Sequence, residues 1–143
     1  MLIALGSDHA GFQLKKKIIQ YLKNNKITYR DFGTDSEASC DYPDFAFPVA
    51  RAVAAGEYER GVLICGSGVG VTITANRVKG IRAVNVNNLY TARQSRAHGD
   101  ANVLCLAGQR LPAARALRIL DIWLKTPFSG EERHLRRIRK LDQ

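Results

Sequence analysis

Val62-Leu63-Ile64-Cys65-Gly66-Ser67-Gly68-Val69-Gly70 is the stretch from which the rest of the chain can be read. Val62 to Cys65, bounded by Gly61 and a glycine cluster, has the unbroken apolar character of a short strand buried on both faces, as in a parallel sheet. Cys65 is then the last strand residue. Gly66, Gly68 and Gly70 allow a sharp backbone turn, and Val71 to Asn76 can continue as a helix whose first unpaired N–H groups point back at it. Such a turn is a nest for an anion. A thiol at its lip feels the positive end of the helix dipole, which favours the thiolate and predicts a pKa below the free value of about 8.5.

The same punctuation recurs on either side. Leu2 to Gly6 reads as a first buried strand, and Ser7-Asp8-His9-Ala10-Gly11 as the turn leaving its carboxyl end. Phe12, Leu14, Ile18, Ile19 and Leu22 then recur at helical spacing to about Asn25, with Lys15, Lys16 and Lys17 mostly outward. Ile27 to Phe32 is a second strand, followed by a polar loop from Gly33 to Tyr42. Pro43 can open a helix that runs to Ala55 before Gly56 stops it. Beyond the glycine loop come a fourth strand at Gly80 to Val86, a polar helix from Leu89 to about Ala97, a fifth strand at Val103 to Ala107, and an amphipathic helix from Pro112 to Lys125. Five alternations of strand and helix predict an α/β fold, a doubly wound, Rossmann-like five-stranded parallel sheet with helices on both faces. The 143 residues suit one domain, 1–143. Ligands on such folds bind beyond the carboxyl ends of the strands, which is where Asp8-His9, Cys65 with its loop, and Gly108-Gln109-Arg110 fall. The tail from Gly130 to Lys140 carries Arg133, Arg136, Arg137, Arg139 and Lys140 over only Leu135, Ile138 and Leu141. A helix so thin in apolar residues is expected to lie on a neighbouring subunit.

Composition narrows the function. Twenty-two Lys and Arg against 13 Asp and Glu leave a formal charge of +9, so the natural partner is an anion. The start of the chain is too short for a signal peptide, and no apolar run approaches the roughly 18 residues of a membrane helix, which points to the cytoplasm and to no membrane partner. Cys40, Cys65 and Cys105 are an odd number without paired spacing, as suits a reducing compartment. No metal-ligand cluster appears. The glycine spacing is one residue short of the dinucleotide fingerprint, with no acidic residue about 20 positions on, and no Gly-Lys-Ser/Thr follows. What remains is a nest for a small anion or a developing oxyanion beside a nucleophile or base, as a carbonyl substrate becoming an enediolate requires. The tail has no aromatic residues among its arginines, which argues against nucleic acid.

Individual polar residues follow from position. His9 sits beside Asp8 at a strand end. His98, in Arg96-Ala97-His98-Gly99-Asp100, is poised before strand five as an acid or base near neutral pH. His134 looks ordinary. Arg133 and Arg137 lie four apart on one helical face, the spacing of a phosphate clamp or equally of a solvated basic tail. Cys105 belongs to the core, and Cys40 reads as an exposed loop thiol.

Taken together, Gly6-Ser7-Asp8-His9-Ala10-Gly11-Phe12, Asp41-Tyr42-Pro43, Ile64 to Gly70, Gly80-Ile81-Arg82-Ala83, Arg96-Ala97-His98, Ala101-Asn102-Val103-Leu104 and Arg133-His134 resemble the ribose-5-phosphate isomerase B family, which includes allose- and galactose-6-phosphate isomerases. The resemblance covers nearly the whole chain. It implies an aldose–ketose isomerase working through a cis-enediolate with neither metal nor cofactor. Cys65 would be the base moving a proton between C1 and C2, and the amides of Gly66, Ser67, Gly68, Val69 and Gly70 the anion hole. His98 would open the sugar ring, contributed by the partner in a homodimer or a tetramer built from it. Asp8 and Tyr42 would contact the sugar, and His9, Arg110, Arg133 and Arg137 the phosphate. Ser67 stands where many members have Thr. Gly99 stands where a substrate-contacting Asn is usual, which frees room for a hexose 6-phosphate. Gly130-Glu131-Glu132-Arg133 replaces the usual Gly-Gly-Arg, which shifts the register of the clamp and leaves Arg136 or Arg137 to complete it. Ribose 5-phosphate is the substrate implied; a hexose 6-phosphate of the allose or galactose type and a non-catalytic sugar-phosphate sensor are the alternatives.

Overall fold

Three apolar runs, β1 (Leu2–Ser7), β3 (Arg60–Cys65) and β5 (Val103–Ala107), form the centre of a five-stranded parallel sheet in the computed structural model, which describes residues 1–142. Their burial is nearly continuous along each strand, as expected of strands covered on both faces. The edge strands β2 (Thr28–Asp31) and β4 (Ala83–Asn85) are shorter and more polar, which suits a position with one unpaired side. The order is β2-β1-β3-β5-β4. Helices α1 (Phe12–Asn24), α4 (Leu89–Ala97) and α5 (Ala113–Lys125) cover one face, α2 (Pro43–Ala54) and α3 (Val69–Ala75) the other.

That order follows from one handedness rule. β1 leads leftward to β2 through α1, and β4 leads leftward to β5 through α4; β2 to β3 and β3 to β4 run rightward through α2 and α3. Each change of direction comes with a change of face, as a constant right-handed crossover demands. The reversal between β1 and β3 opens a crevice at their carboxyl ends.

Side chains alternate between the two faces. Ile3, Leu5, Val62, Ile64, Leu104 and Leu106 pack with α1 and α5, including Trp123, which is fully buried. Ala4, Leu63, Cys65, Val103 and Cys105 pack with Val49, Val53 and Val71 on the opposite side. Cys105 is core, as expected, and burial pushes its thiol up to about 12.

Several local readings need correction. The helix after the glycine loop begins at Val69 rather than Val71, because Gly68 turns the chain at φ +77° and the Ser67 hydroxyl caps the Val69 amide at 3.1 Å. The fourth strand is three residues long rather than seven. The Asn76 side chain exchanges hydrogen bonds with the Ala83 backbone, and the Asn102 side chain takes the Gly80 carbonyl and Arg82 amide, so the approach to β4 is tied down by amides instead of pairing. Lys15 is not outward: its ammonium is buried, 2.7 Å from Asp31 Oδ1 and bonded to the Thr34 carbonyl. Apart from these corrections, the tail forms α6 (Glu132–Arg139), whose His134 side meets the end of α4 in its own chain, with the Ser129 amide on the Ala97 carbonyl at 3.0 Å. Leu135 and Ile138 remain half-exposed and Leu141 exposed.

Gly11, which closes the single 3-10 turn His9–Gly11, has no space for a side chain: a Cβ there would lie 2.5 Å from the Ile64 carbonyl oxygen. Gly11→Ala must therefore separate α1 from β3, and a loss of about 1–3 kcal/mol is expected, read as a lower urea midpoint at an unchanged m-value.

Candidate active site

Asp8, Cys65 and Gln109 leave adjacent strands β1, β3 and β5 at the carboxyl edge. The Asp8 amide donates to the Ile64 carbonyl at 3.2 Å, the Gly108 amide to Cys65 at 2.8 Å, and the Gln109 amide to Gly66 at 3.1 Å. Cys65 is buried to 4% exposure as the last residue of β3, as its sequence position predicts. Asp8 is also buried, its Oδ1 accepting the Gly11 amide at 3.0 Å and capping the turn that follows. Tyr42, at the start of α2, lays its ring over Gly70: a Cβ on Gly70 would fall 2.7 Å from the phenol carbon. Gly68 is equally committed, since a Cβ there would lie 2.5 Å from Asn85 Oδ1 and the backbone is left-handed. Arg110 is exposed just beyond β5.

His9 reaches the same edge, and its partner was not legible in the sequence. The Cys40 amide donates to His9 Nδ1 at 3.2 Å, and Cys40 is half-buried beside the ring rather than simply exposed. The polar loop carrying Cys40 and Tyr42 is anchored at its start by buried Lys15 and by the Thr34 amide on the Ser7 carbonyl.

His98 lies elsewhere. It ends α4, which runs back from the carboxyl edge to the amino edge, and it precedes Val103, which pairs with Gly61 near the start of β3. Gly61 and Cys65 are four strand residues apart, about 13 Å, so His98 and Cys65 stand at opposite edges of one sheet. Arg133, His134 and Arg137 collect with His98. Arg137 lines a groove of about 350 Å³ with His98, Gly99 and His134, and Arg136 does not line it. His134, which looks ordinary in the sequence, is buried with its ring stacked on His98, centroids 4.2 Å apart and planes 15° apart. A second groove, about 800 Å³, runs along β4 between Arg77, Arg82, Gln94 and Leu141, and takes in none of the carboxyl-edge residues.

Two arginines hold the loop after His98. Arg96 is buried and spans Asp100 Oδ1 at 2.8 Å, the Ala101 carbonyl at 2.7 Å and the Thr126 carbonyl at 3.3 Å. Arg82 donates to the Gly99 and Asp100 carbonyls at 2.9 to 3.1 Å. Gly99 lines the groove beside His98, and a Cβ on it would lie 2.9 Å from the Ser95 carbonyl oxygen.

Residues 3–141 match the ribose/galactose isomerase family. This chain belongs to that family. Ribose-5-phosphate isomerase B of Escherichia coli is 44% identical over 136 residues, covering 95% of this chain and 91% of that protein. The solved ribose-5-phosphate isomerase B of Clostridium thermocellum is 48% identical with a TM-score of 0.97, covering 99% and 95% of the two chains. That of Mycoplasma genitalium, solved with ribulose 5-phosphate bound, is 44% identical with a TM-score of 0.93, covering 98% and 93%. Among the described residues no helix is long and apolar enough to cross a membrane.

Within this isomerase family member, burial lowers the His134 pKa below the usual imidazole value; His98, Arg133 and Arg137 push the same way, and Glu131 opposes them. The unfolded chain therefore binds a proton at this position that the folded chain refuses. The stability held at His134 is complete above about pH 6.5 and is lost as pH falls toward the folded value. His134→Phe has no such proton, so the Tm of the wild type should fall relative to this variant between pH 7.5 and 5.5, as thermal scans at both values will read.

Proposed function

We propose that this protein is an aldose–ketose isomerase that interconverts ribose 5-phosphate and ribulose 5-phosphate, with each active site assembled from two subunits. The observation that carries the reading is the division of the candidate residues between opposite edges of the sheet. One edge offers a thiol, a carboxylate and a glycine loop; the other offers an imidazole and arginines. A homodimer in which the two edges face each other supplies both to one substrate, and a tetramer of such dimers keeps the same sites. The exposed Val69 and Ile73 on α3, next to the glycine loop, give an apolar surface for that contact.

In this reading the partner's His98 opens the furanose, helping a proton leave the C1 hydroxyl and reach the ring oxygen as the C1–O bond breaks. The Cys65 thiolate removes the C2 proton, leaving a cis-enediolate, and returns a proton to C1 to give the ketose. The enediolate oxygen is stabilised by the loop amides from Gly66 to Gly70. Asp8 and Tyr42 hold the sugar, with Ser67 beside the reacting end. His9 and Arg110 take the phosphate together with the partner's Arg133 and Arg137. Three free thiols and the phosphorylated substrate fit the cytoplasm.

Cys65→Ala and His98→Ala should each lower kcat by about a hundred- to ten-thousand-fold. Co-expressed and purified as a random mixture, the two should recover about a quarter of wild-type activity, because half the dimers are mixed and each mixed dimer has one intact site. A mixture as inactive as its parents would overturn the shared site. A wild type that binds ribose 5-phosphate without turning it over would favour the sensor, and higher kcat/KM with allose or galactose 6-phosphate would move the assignment to a hexose.

A further inference from the structure

We propose that His134 is a positioning residue for the isomerase reaction, holding the His98 ring with its face and Arg133 with its Nε2 atom. The inference rests on the shared-site reading above, in which His98 and Arg133 both act on the substrate. His134 itself touches neither the sugar nor the reacting carbons in that reading; it acts through its two neighbours.

The geometry is specific. The two imidazoles lie almost parallel with centroids 4.2 Å apart, so the face of one ring fixes the plane of the other. The holding is visible in the backbone. The Ser129 amide ties the strap before α6 to Ala97 at the end of α4, the His134 amide bonds the Glu131 carbonyl at 3.0 Å, and the His98 amide bonds the Gln94 carbonyl at 2.9 Å. Both rings are thus fixed at helix termini. His98 is solvent-exposed on its other side and free to meet a ligand, whereas His134 is buried behind it.

The charges around the pair assign different tasks to the two rings. From α6 and the residue before it, His134 faces Arg133, Arg137 and the Glu131 carboxylate; from α4 it faces His98. Arg133 Nε donates to His134 Nε2 at 3.4 Å, which requires a lone pair on that atom and places any ring hydrogen of neutral His134 on Nδ1. Two imidazolium rings in contact would repel, and an arginine cannot donate to a protonated nitrogen. The acid–base role in the reaction is therefore left to His98, the ring that reaches substrate in that reading. Arg133 is held on its other side by Glu131 Oε2 at 3.2 Å, so its guanidinium is oriented between a carboxylate and a neutral imidazole.

Two substitutions separate these tasks. His134→Phe keeps a flat ring under His98 and deletes the acceptor for Arg133; His134→Ala deletes both. With ribose 5-phosphate as substrate, His134→Ala should lower kcat by about 10- to 100-fold, the scale of a misplaced catalytic group. His134→Phe should recover most of kcat while KM stays raised by about two- to tenfold, the modest effect of a long hydrogen bond. In the ¹⁵N-labelled enzyme, the ring nitrogens of His98 should shift in His134→Ala and return toward wild type in His134→Phe. Wild-type kcat and KM in both folded variants would overturn the proposal, as would a Phe variant no better than Ala in both kcat and the His98 resonances. An inactive wild type is a separate result, which removes the isomerase reading on which this one stands.

Discussion

Everything at the carboxyl edge of the sheet depends on how closely the chain leaving β1 can approach the chain leaving β3. Gly11 sits against the Ile64 carbonyl, the Asp8 amide bonds that same carbonyl, and Gly108 comes up against Ala10 and Gly11 from the third strand. Three chain exits meet where only small residues fit. Because β1 and β3 lead in opposite directions, no helix covers the crevice between them. Asp8, Cys65 and Gln109 are consequently brought together by close packing of glycine and alanine, which lets backbone hydrogen bonds link the three exits.

The glycine loop obeys a second steric rule. Gly68 is left-handed and faces the Asn85 side chain, and Gly70 leaves its space to the Tyr42 ring. These glycines do more than let the chain turn: each yields volume to a particular neighbour from another element. Asn85 Nδ2 also donates to the Ser67 carbonyl at 3.2 Å, so the edge strand β4, short as it is, braces the loop. Lys15 plays the corresponding part for the loop carrying Cys40 and Tyr42, its ammonium buried against Asp31 and the Thr34 carbonyl.

The amino-edge cluster is built by electrostatics instead of close packing. Arg82 and Arg96 spend their donors on backbone carbonyls from Gly99 to Ala101 and on Asp100, which fixes the turn directly after His98. Arg96 also reaches Thr126, so the segment leading to α6 is bound to the same point. Arg133 and Arg137 stand outside this set, Arg133 paired with Glu131 and Arg137 lining the groove beside His98. Part of the formal charge of +9 is thus spent on holding the scaffold.

Much of this was present in the order of residues. The buried strands were legible because a strand covered on both faces must be apolar along its whole length, and Cys65 could be placed at a strand end because glycines follow it directly. The family resemblance rested on the same local stretches, and residues 3–141 match that family. Local pattern could not show the strand order, since β5 enters between β3 and β4 only through the handedness of crossovers. It also read Lys15 as outward, Cys40 as exposed and His134 as ordinary, because each is defined by a partner far away in the chain or on another element: Asp31 and Thr34, His9, and His98. Gly99 shows the same limit from the other side, since its closeness to the Ser95 carbonyl is set by the turn of the chain and not by residue type. Residue type and spacing determine which groups a short segment presents and to which side; the distance between two such groups, here the length of a strand between Cys65 and His98, is decided only when the sheet assembles.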